Sequence, residues 1–225
     1  LREETEYKPK PMVEIGGKPI LWHIMKLYSK YGINEFVLAL GYKGDVIRNY
    51  FLNYYYYNND FTINLGNMEK IEVYDGGNCE RNWKVTLVET GQESMTGFRT
   101  KVCGKYISED NFMLTYGDAV SNVDIDKLLK FHLKQNTIGT VTGVYPPSRF
   151  GDLDIKGNLV EKFKEKQIET YDKMPINGGF FVFKKKFLDI IPEDKNCDLE
   201  RKPMDFLVKD KQLSIYKHKG FWHCM

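Results

Sequence analysis

Apolar and polar positions alternate along this chain in a strand–helix rhythm. From Pro19 to Tyr31, Ile20, Leu21, Ile24, Leu27, Tyr28 and Tyr31 recur at helical spacing, predicting a helix that starts at Pro19 and runs to about Gly32. Glu35 to Leu40 (EFVLAL) reads as a short buried strand closed by Gly41, and Lys43 to Tyr55 as the next helix. An aromatic run, Tyr54 to Tyr57, then ends in the turn residues Asn58-Asn59-Asp60. Phe61 to Leu65 and Lys84 to Glu89 read as strands around a polar loop at Asp75 to Asn82, followed by a helix from about Phe98 to Tyr106. Asn111 to Tyr116 is a strongly apolar strand ending in Gly117-Asp118, and Asp124 caps a helix that continues to Gln135. The strand Thr137 to Tyr145 stops at Pro146-Pro147. Leu153 to Ile155 and Leu159 to Phe163 form a hairpin about Gly157-Asn158. Asn177-Gly178-Gly179 leads into the strand Phe180 to Phe183; helices at Lys185 to Ile191 and Pro203 to Lys209 and the strand Leu213 to Lys217 complete the pattern. Such alternation predicts an α/β fold with a mostly parallel sheet covered by helices on both faces.

The 225 residues suffice for one large domain or two small ones, with 42% hydrophobic and 28% charged positions, as in a soluble globular protein. A net charge of +2 is too small for a nucleic-acid surface, so any anion binding must be local. No run reaches the ~18 apolar residues of a membrane span and the start carries no signal-peptide pattern, so a cytoplasmic chain with no membrane partner is expected. Cys79, Cys103, Cys197 and Cys224 lack zinc or redox spacing and read as free thiols; the four histidines form no ligand pattern. His23 is expected on a helix surface or satisfied in the core.

The chemistry is expected beyond the carboxyl ends of the strands, where open α/β sheets bind ligands. In Lys8-Pro9-Lys10-Pro11-Met12 the prolines fix φ near about −65° and hold the lysines on a stiff, extended, non-helical segment, which lowers the entropy lost when an ammonium meets a phosphate. Gly16-Gly17 then supplies a turn. Taken alone, this segment reads as a loop and helix start with solvated lysines. Asp118, reached through Gly117, could place one carboxylate on Mg²⁺, with substrate phosphates and water completing the shell, or could simply end the strand. Asp124-Ile125-Asp126 and Asp152-Leu153-Asp154 are D-x-D patterns, the first better explained by capping. Glu165-Lys166 pairs an acceptor with a cation, Arg99 beside Thr96-Gly97 could meet an anion at a helix start, and Asn177-Gly178-Gly179 permits a close backbone approach or only a turn.

The order of these segments is more specific than any one of them. Lys8 to Met12, Gly16-Gly17-Lys18-Pro19, Tyr116-Gly117-Asp118, Glu165-Lys166 and Asn177-Gly178-Gly179 together resemble the sugar-1-phosphate nucleotidyltransferases. The runs Lys8 to Lys26, Trp83 to Gly91, Ser94 to Arg99 (SMTGFR), Pro146 to Ile155, Ile176 to Val182 and Gly220 to Trp222 resemble the branch that transfers a cytidylyl group to glucose 1-phosphate. The resemblance implies a Rossmann-like, mostly parallel sheet with a small β sugar-binding subregion in a single domain over residues 1–225. It implies CTP and glucose 1-phosphate as substrates, Mg²⁺ as cofactor, and a homo-oligomer in which Tyr54 to Tyr57 is a candidate contact. Carried over by motif, Lys10 is the cation on the nucleotide phosphates and Lys166 the cation on the sugar phosphate. Asp118 is the metal carboxylate, Glu165, Asn177 and Gly151 line the sugar pocket, and Thr90, Thr96, Gly97, Arg99 and Gly117 lie on the nucleotide side.

The chain also departs from that pattern. The family opens with a strand and a glycine-rich loop holding the triphosphate, and has a second metal aspartate just beyond the point matching Met225. Neither is present, so the 225 residues are expected to be a fragment of a longer protein, inactive as it stands. Gln167 occupies a position where the family usually has proline. Other readings stay open from sequence: a uridylyl- or thymidylyltransferase of the same fold, a non-catalytic homologue that binds sugar nucleotides, and a metal-dependent glycosyltransferase using Asp124 and Asp126.

Overall fold

The computed structural model describes residues 7–66, 70–74, 76–77, 80–146, 152–164 and 174–225, with backbone alone at 152–154 and 163–164. These residues form an α/β fold divided into two compact units, Leu1–Tyr106 with Ile191–Leu199, and Ile107–Ile190 with Glu200–Met225. No helix among the described residues is long and apolar enough to cross a membrane.

In the first unit, β1 (Glu14–Ile15) and β2 (Lys18–Pro19) pair antiparallel across Gly16 and Gly17. Both glycines have positive φ (58° and 77°), as a two-residue hairpin turn requires when it follows the strand twist. Pro19 caps α1 (Ile20–Ser29) from outside rather than opening it; of the positions the periodicity predicts, Ile20, Leu21, Ile24 and Tyr28 are buried, Leu27 and Tyr31 are half-buried, and Met25 joins the buried stripe. β3 (Glu35–Leu40) and β6 (Lys84–Glu89) are parallel, in register from Glu35↔Lys84 to Leu40↔Glu89. The single helix expected at Lys43 to Tyr55 is two, α2 (Gly44–Leu52) and α3 (Tyr54–Tyr57). The break falls at Asn53, whose ψ is 9° and whose side-chain amide donates to the Asn49 carbonyl at 2.9 Å, offering the backbone a local alternative to continued helix. β4 (Asp60–Ile63) and β5 (Ile71–Tyr74) form a hairpin. α4 (Thr96–Cys103) ends in a 3-10 turn at Gly104–Tyr106. Met12, Leu21, Met25, Leu40 and Ile47 make the core, with Phe36, Trp83, Val85 and Leu87 packed against it.

The second unit is built on a mixed sheet in the order β13-β9-β12-β7, from β7 (Asn111–Thr115), β9 (Gly139–Val144), β12 (Ile176–Lys184) and β13 (Leu213–His218). β13 runs parallel to β9, while β12 is antiparallel to both of its neighbours. Four consecutive β12 residues, Phe180 to Phe183, are buried, and the Phe183 ring stacks on Phe187 of α6 (Phe187–Ile190) at 4.0 Å between centroids. α5 (Ile125–Gln135) begins as the sequence predicts: the Asp124 carboxylate accepts the Lys127 amide at 2.9 Å, and Asp126 pairs with Lys130 at 2.8 Å. β10 (Asp152–Lys156) and β11 (Leu159–Lys164) form the expected hairpin, α7 (Lys202–Lys209) precedes β13, and β8 (Ala119–Ser121) pairs with β14 (Trp222–Cys224). The five strands not foreseen, β1, β2, β5, β8 and β14, span two to four residues each, too short for alternation to mark them.

Candidate active site

The Lys10 segment is not extended throughout. Pro9 is extended (φ −66°, ψ 147°), but Lys10–Met12 make one 3-10 turn, closed by Met12 N–H to the Pro9 carbonyl at 2.8 Å. Pro11 sits in the first turn, where its missing N–H costs no helical bond. Met12 and Val13 are buried and anchor the segment, while Lys10 lies on the exposed side of the turn. Lys8 is held by Glu14 at 2.8 Å.

In the same unit, the carboxyl ends of β3 and β6 are tied together by Thr90 and Arg99, two of the residues that the resemblance implies for the nucleotide side. The Thr90 amide and hydroxyl both donate to the Leu40 carbonyl, at 3.0 and 2.6 Å. Arg99 from α4 reaches across this edge. Its Nε donates to the Ser94 carbonyl (2.9 Å), one terminal nitrogen to the Leu40 carbonyl (3.0 Å) and Thr90 Oγ1 (2.6 Å), and the other to the Gln92 carbonyl (3.1 Å). The planar fork therefore clamps the loop Thr90–Ser94 onto the end of β3, and only a glycine at Gly41 leaves room for it.

The start of α4 is bound up in a similar way. The amides of Gly97 and Phe98 donate to the Cys197 carbonyl at 2.9 and 3.3 Å, and Met95 N–H donates to the Lys195 carbonyl at 2.8 Å. Thr96 Oγ1 donates to Asp198 at 3.2 Å and accepts the Leu199 amide at 2.9 Å. A Cβ at Gly97 would lie 2.7 Å from Cys197 Sγ, so the close approach of the two segments needs glycine. Cys103, one turn on, is a packing thiol: burial pushes it up to about 11, against the weaker pull of Arg99 and Lys105.

In the second unit, Asp118 follows β7 through Tyr116 and Gly117, and its carbonyl accepts the Met225 amide at 3.0 Å. Tyr116 donates its hydroxyl to Glu200, its ring packs on Gly179 (φ 76°), and its amide donates to the Gly179 carbonyl at 3.3 Å. Asn177 is exposed, and its Oδ1 accepts the Gly179 amide at 2.9 Å, forming an Asx-type turn. Thus Thr90 and Arg99 meet at one strand edge, Thr96 and Gly97 engage the Cys197–Leu199 segment at the start of the helix that carries Arg99, and Tyr116 and Asn177–Gly179 meet at the end of β7. Gly151, Glu165 and Lys166 lie outside the described residues. Sequence reasoning gave no role to Tyr116, Glu200 or Trp222, although Gly220-Phe221-Trp222 stood among the segments carrying the resemblance.

A family model described as nucleotidyl transferase matches residues 1–223. The chain belongs to the nucleotidyl transferase family. The glucose-1-phosphate cytidylyltransferase of Salmonella typhimurium (strain LT2) is 45% identical over 226 residues, covering 100% of this chain and 86% of its own length. A Bacillus subtilis (strain 168) protein named "Probable glucose-1-phosphate cytidylyltransferase" is 42% identical over 222 residues, 99% of this chain and 85% of that protein. Among solved structures, HddC from Yersinia pseudotuberculosis superposes with a TM-score of 0.66 at 24% identity, covering 96% of this chain and 84% of that one; at that identity it shows the shared fold alone. In this nucleotidyl transferase, Thr90 and Arg99 meet beyond the carboxyl ends of β3 and β6 in the first unit, and Asp118 follows the carboxyl end of β7 in the second.

Proposed function

We propose that the protein transfers a cytidylyl group from CTP to α-D-glucose 1-phosphate, forming CDP-glucose and pyrophosphate. The supporting observation is 45% identity over the whole chain to a glucose-1-phosphate cytidylyltransferase of which the match covers 86%. A phosphate oxygen of the sugar phosphate attacks the α-phosphorus of CTP in line. The new P–O bond forms as the bond to the β-phosphate bridge breaks, and pyrophosphate leaves with the electron pair. Little covalent work falls to the protein, so catalysis is positioning and neutralisation of converging anions.

In this reading Lys10 neutralises the nucleotide phosphates, and Lys166 does the same for the sugar phosphate. Thr90, Thr96, Gly97, Arg99 and Gly117 shape the nucleotide side, with Arg99 holding the Thr90–Ser94 loop as well. Asn177, Gly151 and Glu165 serve the sugar. Among the described residues no group of three or more His, Cys, Asp or Glu gathers, and Asp118 is one carboxylate at a strand end. That donor set suits Mg²⁺, which binds through one or two carboxylates and completes its shell with substrate phosphates and water. When bound, Mg²⁺ supplies charge neutralisation at the phosphates. The two units act as one catalytic domain, as a family match running across both supports. The enzyme is cytoplasmic and self-associating, the latter in keeping with the exposed Leu52, Tyr55, Tyr57 and Phe61.

Pyrophosphate release by the full-length protein with Mg²⁺, glucose 1-phosphate and CTP, UTP or dTTP tests this directly. Release is expected with CTP in preference to the others. Preference for UTP or dTTP would reassign the base, and no release above background with any nucleotide would overturn the reading.

A further inference from the structure

The turn at Asn177–Gly179 is unusual for a central strand. Along β12, Asn177 pairs with Gly143 and Phe181 with Val141, so four steps on β12 oppose two on β9. Within this bulge the Gly179 carbonyl accepts the Tyr116 amide, and the Asn177 side chain accepts the Gly179 amide. The Gly178 carbonyl is taken by a side chain from far along the chain: Trp222 Nε1 donates to it at 2.7 Å. Gly178 is held from its other side as well, since a Cβ there would stand 2.6 Å from Val144 Cγ1 and 3.0 Å from the Thr142 carbonyl.

Trp222 opens β14, whose residues pair Trp222↔Ser121, His223↔Val120 and Cys224↔Ala119, and whose successor Met225 donates to the Asp118 carbonyl. One three-residue strand therefore grips the backbone after Asp118 and, through its indole, the backbone beside Asn177. The tight entry to β14 is fixed by Ser121 Oγ and Asn122 N–H, which donate to the Phe221 carbonyl at 2.7 and 3.1 Å.

We propose that Trp222 is a positioning residue of the sugar side: its indole N–H sets the Asn177–Gly179 turn so that the Asn177 side chain meets the sugar of glucose 1-phosphate and CDP-glucose. This rests on the functional reading above for the identity of the ligand. The indole N–H needs no contact with substrate. It acts by satisfying a carbonyl that the bulge removes from the ladder and thereby fixing the turn.

The test compares wild type, Trp222→Phe and His223→Ala in the full-length protein; His223 is exposed and shares β14 through its backbone. Calorimetric titration with CDP-glucose and, separately, with CTP is read beside the KM for glucose 1-phosphate and the exchange rate of the Gly179 amide. Trp222→Phe is expected to weaken CDP-glucose about tenfold, to raise the KM for glucose 1-phosphate similarly and to speed Gly179 exchange, with CTP affinity kept within about twofold. His223→Ala is expected to change none of these. Unchanged CDP-glucose affinity with unchanged Gly179 exchange overturns the proposal, and so does a parallel loss of CDP-glucose and CTP affinity. Should Trp222→Phe not fold, benzothienylalanine at 222 removes the N–H while keeping the bicyclic shape, with the same outcomes. A wild type that binds neither ligand overturns the functional reading and the sugar assignment with it, while Gly179 exchange still decides whether the indole braces the turn.

Discussion

Lys8 and Lys10 are two residues apart on the same proline-bearing segment and have unlike surroundings. Lys8 is engaged by Glu14 in an exposed ion pair, an interaction worth little to stability and one that partly neutralises the ammonium. Lys10 sits on a 3-10 turn anchored by buried Met12, so its backbone is fixed before any phosphate arrives. Replacing Lys10 by alanine is expected to lower kcat/KM for CTP by about 100-fold or more, the scale of losing a preorganised charge at a phosphoryl centre, while Lys8→Ala stays within about threefold. Steady-state kinetics on the two variants check this, and equal losses would remove Lys10 from its assigned role. The constrained backbone of this segment was legible because prolines and glycines limit φ in ways a sequence states outright, although the 3-10 turn at Lys10–Met12 replaces part of the extended run expected there. The engagement of Arg99 was not: residue type announces a guanidinium, but only folding shows that four protein oxygens, three of them main-chain carbonyls, occupy its donors.

At the scale of elements, α5 shows both what the sequence reveals and what it hides. Its start follows from Asp124, visible in the sequence as a cap, and Ile125 and Leu128 are buried along it. His132 on the same helix gave no signal, yet it is fully buried beneath the strands. Its Nδ1 shares a 2.8 Å hydrogen bond with Thr140 Oγ1, which in turn meets Ser214 at 2.7 Å from β13, and Nε2 has no partner among the described residues. Burial first, and the Lys184 ammonium on β12 second, hold the imidazole below its usual range. A protonated His132 would carry a second N–H into a space with no acceptor. The folded protein thus disfavours a proton that the unfolded chain binds freely near a pH of about 6.5. The stability due to a neutral His132 is present above that value and declines as pH falls from there through the depressed folded pKa. Urea unfolding between pH 7.5 and 5 is expected to show stability falling toward the acid side, with a shallower slope in His132→Gln. The same slope in both proteins would assign the acid sensitivity elsewhere. Short strands such as β8 and β14 were hidden for a different reason: three residues cannot show a period of two against a background of loops, and their pairing depends on partners about a hundred positions away.

For the whole molecule, neither compact unit is continuous in sequence. Ile191–Leu199 belongs to the unit formed by Leu1–Tyr106, although it is encoded between α6 and α7 of the other. Its part in the first unit is specific. Lys195 and Cys197 offer carbonyls to the amides of Met95, Gly97 and Phe98, and Leu199 and Asp198 engage Thr96. These bonds close the start of α4, the helix from which Arg99 clamps the ends of β3 and β6. Helix N-termini leave amides that must find partners, and here no residue of α4 or its N-cap Met95 supplies a side-chain cap. The sequence could not reveal this, because the pairing joins positions about a hundred residues apart and leaves no local pattern. The consequence is a test of how the fold is organised. A polypeptide of residues 1–106 retains every residue of α4, β3 and β6 but lacks the segment that satisfies Met95, Gly97 and Phe98. In the full chain these three amides are expected to exchange slowly with solvent. In the 1–106 polypeptide they are expected to exchange at close to unprotected rates, with a loss of cooperative unfolding. Adding a peptide of residues 191–199 in excess is expected to restore part of the protection, since a ligand that binds only the folded form stabilises it by mass action. Equal protection with and without the segment would mean that the first unit folds around its own N-terminal residues and that Arg99 keeps its clamp unaided.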